Sequence, residues 1–183
     1  MATRTKCLVT AVLALVVPLA LIGVAIASAP WFRFWYNALS DLGHQVKHPD
    51  TAKIFNTGLI LGAMFSTVLA CKCLTGWREA LVWMEGFSLA LVAVFNEAYG
   101  SLHFWVSVLF FLSLLAMIMA YIVSKEPMVL RLYAGTALVI YIVAWYMHFA
   151  EKVPPGASIP ELLSVSLYAP LFIHASVMGG HQG

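Results

Sequence analysis

The chain predicts an all-α fold: a six-transmembrane-helix bundle with a short interfacial helix after the first span. Three observations predict it. Apolar residues make up 62% of the 183 residues and charged residues 10%, against about 45–50% and roughly 25% in ordinary globular domains. Apolar runs recur at lengths near the ~20 residues needed to cross hydrocarbon. Those runs are continuous and too long for membrane strands, so helices must satisfy their backbone groups. A water-facing surface would need polar cover that this composition lacks. One integral membrane domain over 1–183 follows.

The spans are expected at 7–28, 54–74, 78–98, 101–123, 128–149 and 161–179. The first follows Arg4 and Lys6 and ends at Ala27-Ser28-Ala29. It resembles a signal peptide but exceeds the apolar core of about 7–15 residues that such peptides carry, so it reads as a membrane helix. Trp31, Phe32, Phe34, Trp35 and Tyr36 around Arg33 then favour the headgroup level and predict the interfacial helix. Pro49 disfavours a helical residue before it, which predicts a break near His48. Span two carries Gly58, Gly62 and Ser66 at four-residue spacing, a small-residue stripe suited to close helix approach, here most simply to a neighbour in the same chain. Span three contains Glu85 within reach of Arg78 and Trp77, then Asn96 and Glu97. The tight break Tyr99-Gly100-Ser101 makes spans three and four a hairpin. Span four ends at Ser124-Lys125-Glu126-Pro127, span five runs to His148 and Glu151, and span six holds Pro170 and His174.

Alternating spans place the connections after spans one, three and five on one side. Lys and Arg then number six on the side of the termini (Arg4, Lys6, Lys72, Arg78, Lys125, Arg131) and four opposite (Arg33, Lys47, Lys53, Lys152). That asymmetry favours cytoplasmic N- and C-termini in a multi-pass cell-membrane protein. The scattered bases form no cluster, which excludes nucleic acid as partner; membrane lipids are the expected ones, with a homo-oligomer or a membrane complex open. Cys71 and Cys73 point in different directions on a helix, so free thiols are expected of the three cysteines.

Ionisable groups at membrane depth are candidate functional residues. Ser40, Asp41, His44, Asn56, Glu97, His103, Ser107 and His148 are the pocket candidates. Most have a plainer competing role. Ser40 or Asp41 suits a turn or cap, His44 and His48 suit a solvated loop, His148 suits helix-end carbonyls, and Glu161 suits a capping box with Ser158. Glu97 and His103, six residues apart across a tight turn, can hydrogen-bond each other. His174 reads as a hydrogen-bonded bundle histidine. Asp41, His44, His103 and His148 are also the candidate metal ligands, since imidazoles with carboxylates suit zinc with an open position; zinc is the cofactor considered. No H-E-x-x-H or G-x-S-x-G occurs, so neither a catalytic residue nor a reaction is identified.

Asn37-Ala-Leu-Ser-Asp-Leu-Gly43, Phe55-Asn56-x-Gly58, Gly100-Ser-Leu-His103-Phe-x-x-Ser107-x-x-Phe110-Phe111 and Ile159-Pro-Glu161 together resemble the uncharacterised prokaryotic membrane family catalogued as domain of unknown function 998. The resemblance spans essentially the whole chain. It implies a six-span bundle and no activity. A more distant similarity is to the ceramidase and adiponectin-receptor-like superfamily, whose members set Ser, Asp and three His around zinc. It would cast Ser40, Asp41, His103 and His148 in those parts, although that group has seven spans and this chain's H-x-x-x-H lies in the first connection. The reading that follows is a polytopic membrane protein that binds a lipid or small amphiphile at a polar pocket on one face. A metal-dependent lipid hydrolase, a proton-coupled small transporter and a structural subunit are the alternatives.

Overall fold

Six long helices account for most of the residues, 2–179, that the computed structural model describes; there is no strand among them. They are α1 (Ala2–Ala27), α2 (Pro49–Cys73), α3 (Trp77–Val94), α4 (Ser101–Val123), α5 (Met128–Tyr146) and α6 (Ser158–Gly179). The tail histidine, His181, lies outside the described residues. α1, α2, α4, α6 and α5 with its π-turn extension (Met147–Glu151) are long and apolar enough to cross a membrane. α3 carries Arg78, Glu79 and Glu85 within 18 residues and is the exception. Consecutive helices pack side by side, and α6 returns against α1 and α4.

Helix ends follow local chemistry. α2 starts at Pro49 with His48 before it, as the restriction on the pre-proline residue requires. α3 stops at Val94, four residues before the expected end, because Asn96 caps a 3₁₀ turn (Glu97–Tyr99) by accepting a hydrogen bond from the Ala98 amide. Gly100, at φ 56°, reverses the chain into α4, a conformation glycine adopts without steric cost.

The small-residue stripe of α2 serves an intramolecular contact. A Cβ on Gly58 would lie 2.9 Å from Leu21 Cβ, and one on Gly62 2.9 Å from Pro18 Cγ, both on α1. Bare backbone there lets the two helices approach closely.

Three expectations need correction. No helix forms over Trp31–Asn37; the stretch is turns, followed by a 3₁₀ turn at Leu39–Gly43. Its backbone groups bond elsewhere: Trp35 O accepts from Gly156 N at 3.0 Å and Asn37 O from Ser158 N at 3.0 Å. The cysteines are not all free, since Cys7 at the start of α1 and Cys73 at the end of α2 form a disulfide, with Cα atoms 5.7 Å apart, leaving Cys71 exposed and free. Glu85 does not pair with Arg78, which reaches Glu126 at the α4–α5 connection instead. Arg78 and Glu85 are seven residues apart on α3, about 10 Å of rise.

Candidate functional site

The first, third and fifth connections meet at one end of the bundle and are tied by side chains from each. Asn37 is the hinge pin. Its carbonyl accepts from both the amide and the hydroxyl of Ser158, the latter at 2.6 Å, and its Nδ2 donates to Asp41 Oδ2 at 2.8 Å. Gly156 is required beside it, because a Cβ there would collide with the Asn37 backbone. Asp41 Oδ2 also accepts from the Ala38 amide at 3.1 Å, so its carboxylate organises the turn. Gln45 accepts from Asn96 Nδ2 at 3.0 Å, joining the first connection to the third.

Ser40, thus presented, donates to Glu97 Oε2 at 3.1 Å. The same oxygen lies 3.0 Å from His103 Nε2. His103 Nδ1 lies 2.8 Å from the Phe95 carbonyl; a carbonyl only accepts, so Nδ1 carries a proton. A neutral ring then has a bare Nε2 that can accept from Ser107 Oγ at 3.3 Å, and a protonated ring donates to Glu97. Burial pushes the Glu97 carboxyl up, but hydrogen bonds from His103 and Ser40 and the charges of His103 and His44 outweigh it. Glu97 therefore titrates below its ordinary 4.5.

This cluster forms one end of a lateral cleft of about 560 Å³ between α4 and α5. Ser40, Glu97, His103, Ser107, His148 and Glu161 are its polar lining; Val108, Leu112, Ile142 and Phe149 are among its apolar walls. Tyr141 and Trp145 stand at its back, with their polar atoms occupied. Tyr141 donates to Phe111 O at 2.8 Å and Trp145 Nε1 to Ser164 Oγ at 2.9 Å.

Of the eight pocket candidates, Ser40, Glu97, His103, Ser107 and His148 line the cleft. Asp41 supports it from behind. Asn56 donates to Gly43 O at 3.1 Å, and His44 Nδ1 accepts from the Lys47 amide at 3.3 Å. His48 stacks on Trp31, ring centroids 3.8 Å apart. The four candidate zinc ligands do not fit a metal ion as placed. Asp41 and His44 serve local turns, and His148 Nδ1 lies 3.0 Å from Pro154 O. Among the described residues no three His, Cys, Asp or Glu side chains are grouped to hold one.

Two site residues escaped the sequence reading. Glu161 does not form a capping box; its Oε2 accepts from the Leu39 amide, 122 residues away, at 2.6 Å. No local signal marks that contact, since the Ser-x-x-Glu spacing points to a cap instead. Glu85 is buried with Oε2 unpaired. Its signal was the absence of any second base on α3 once Arg78 is spoken for.

No curated protein and no solved structure matches the chain. A family model described as "Protein of unknown function (DUF998)" matches residues 12–177. The motif positions Ser40, His103, Ser107 and Glu161, which meet at the cleft beside Glu97, lie within that match, and the chain belongs to the DUF998 family.

Proposed function

We propose that the protein binds a membrane amphiphile in the lateral cleft, with the chain portion against α4 and α5 and the polar head against Ser40, Glu97, His103 and Ser107. The cleft carries this reading: its volume, about 560 Å³, falls in the range of roughly 300–1,000 Å³ typical of ligand sites, and its polar groups sit at one end only. Among the described residues no Lys or Arg lines it, so a phosphate head would find no matching cation there. Two carboxylates, two serine hydroxyls and two imidazoles suit a hydroxylated, amide or ammonium head. Native mass spectrometry of the protein released from mild detergent tests this. The wild type should retain one amphiphile per chain, and Val108→Trp, which fills the cleft, should lower retention at least tenfold. Equal retention by folded Val108→Trp contradicts the reading.

The chain reads further as a six-span cell-membrane protein with α3 as the sixth crossing. α3 starts beside the Arg78–Glu126 pair and ends beside the Glu97–Ser40 pair, at opposite ends of the bundle. Termini in the cytoplasm, the side with more Lys and Arg, would set the Cys7–Cys73 pair in a reducing compartment. Thiol labelling before cell disruption, followed by denaturation, should then count three thiols; one alone would put the termini outside.

A further inference from the structure

Behind the cleft lies a second cavity, about 90 Å³, at the centre of the bundle. Ser40, Ser107, Phe111 and Glu161 line both spaces and form the partition between them. From that partition the cavity extends to Glu85 and Tyr168. Glu161 and Tyr168 are seven residues apart on α6, so the path is about 10 Å long.

The inner end is unusual in its polar groups. Glu85 is 5% exposed and Tyr168 2%, yet Glu85 Oε2 and the Tyr168 hydroxyl have no hydrogen-bond partner among the described residues. Such groups are costly to bury unsatisfied. α1 and α2 add only apolar side chains to the wall, and α4 adds Ser107 without a titratable group. Ser66 of α2 neighbours Glu85, and Tyr121 of α4 lies near Tyr168. Among the described residues no Lys, Arg or His lines the cavity, and the one base on α3, Arg78, is held by Glu126. A carboxylate in this setting has no cation to offset its charge; a proton is the counter-ion that fits. The volume suits about three waters, enough to satisfy Oε2 and the phenol and to reach Glu161.

We propose that the central cavity is a hydrated proton-access path, and that Glu85 is the proton-binding group at its inner end, exchanging through Glu161 and Ser107 with the His103–Glu97 cluster. In each transfer the Glu85 O–H bond breaks as a water O–H bond forms, and that water releases a different proton onward, so only O–H and N–H bonds change. Glu85 touches nothing in the cleft, and the proposal does not rest on amphiphile binding.

Infrared spectroscopy of the protein in lipid nanodiscs at neutral pH tests it. The wild type should show a carboxylic-acid carbonyl band that Glu85→Gln removes and that shifts within minutes of transfer to D₂O. Ala14→Leu, which adds bulk to the cavity wall, should keep the band and slow its shift at least tenfold. Should Glu85→Gln fail to fold, Glu85→Asp should move the band. A band missing from the wild type, unchanged by these Glu85 substitutions, inert to D₂O, or exchanging as fast in Ala14→Leu overturns the proposal.

Discussion

The two ends of the bundle hold polar clusters of similar size but opposite character. At the end with Cys7 and Cys73, Arg78 pairs with Glu126 and lies over the Trp77 ring at 4.7 Å. Tyr121, beside it, donates to Leu171 O at 3.0 Å and sits 3.0 Å from His174 Nδ1. His174 is therefore the hydrogen-bonded bundle histidine that was expected. Glu126 there has two bases within reach, Arg78 and His174, and neither of the two cavities reaches that cluster. At the other end Glu97 and Glu161 have no Lys or Arg, only hydroxyls, amides and an imidazole, and both face open volume. Matched charge fastens helices together; the unmatched acids beside a cavity are what the proposed binding site rests on.

That contrast can be broken in order of expected effect. Arg78→Ala should cost about 3–5 kcal/mol, because it strands a buried carboxylate, and the loss should appear in denaturant unfolding of the detergent-solubilised protein. In protein oxidised after purification, Cys7→Ser should cost about 2–4 kcal/mol by removing the α1–α2 crosslink, read in the same assay. Glu97→Gln should cost only about 1 kcal/mol, the net worth of an ordinary hydrogen bond. A cost matching that of Arg78→Ala would make the cleft end a fastening too.

The Glu97 substitution also sharpens the comparison through pH. Its folded carboxyl titrates below the ordinary 4.5, so the stability it contributes is fully present above that value and lost as pH falls through the lower folded value. Melting temperature should therefore fall across that acid window in the wild type and less steeply in Glu97→Gln. His148→Ala should have the smallest effect, under ~1 kcal/mol, since it removes one contact to Pro154 O at the cleft rim.

What could be read beforehand follows the range of the interaction. Continuous apolar runs located all six helices, and α4 begins and ends where expected, at Ser101 and Val123. The Glu97–His103 contact was legible because a tight turn joins its partners. Ser40–Glu97 and Leu39–Glu161 join residues 57 and 122 apart, and no local pattern encodes them. Lipid removes the usual guide as well: the helices beside α3 are apolar all round and show no polar outer face, so which neighbours Glu85 would face could not be deduced. The Cys7–Cys73 pair was hidden likewise, since its partners come together only when α1 and α2 pack.

The most direct test of the amphiphile cleft is photocrosslinking with a single-chain amphiphile that carries a hydroxylated head and a diazirine in its chain, followed by peptide mapping. Labels should concentrate on Val108, Leu112 and Ile142 and fall away in Val108→Trp. Labels spread over the exposed outer face of α1, at Val9, Val12 and Val16, with none enriched in the cleft, would contradict the account.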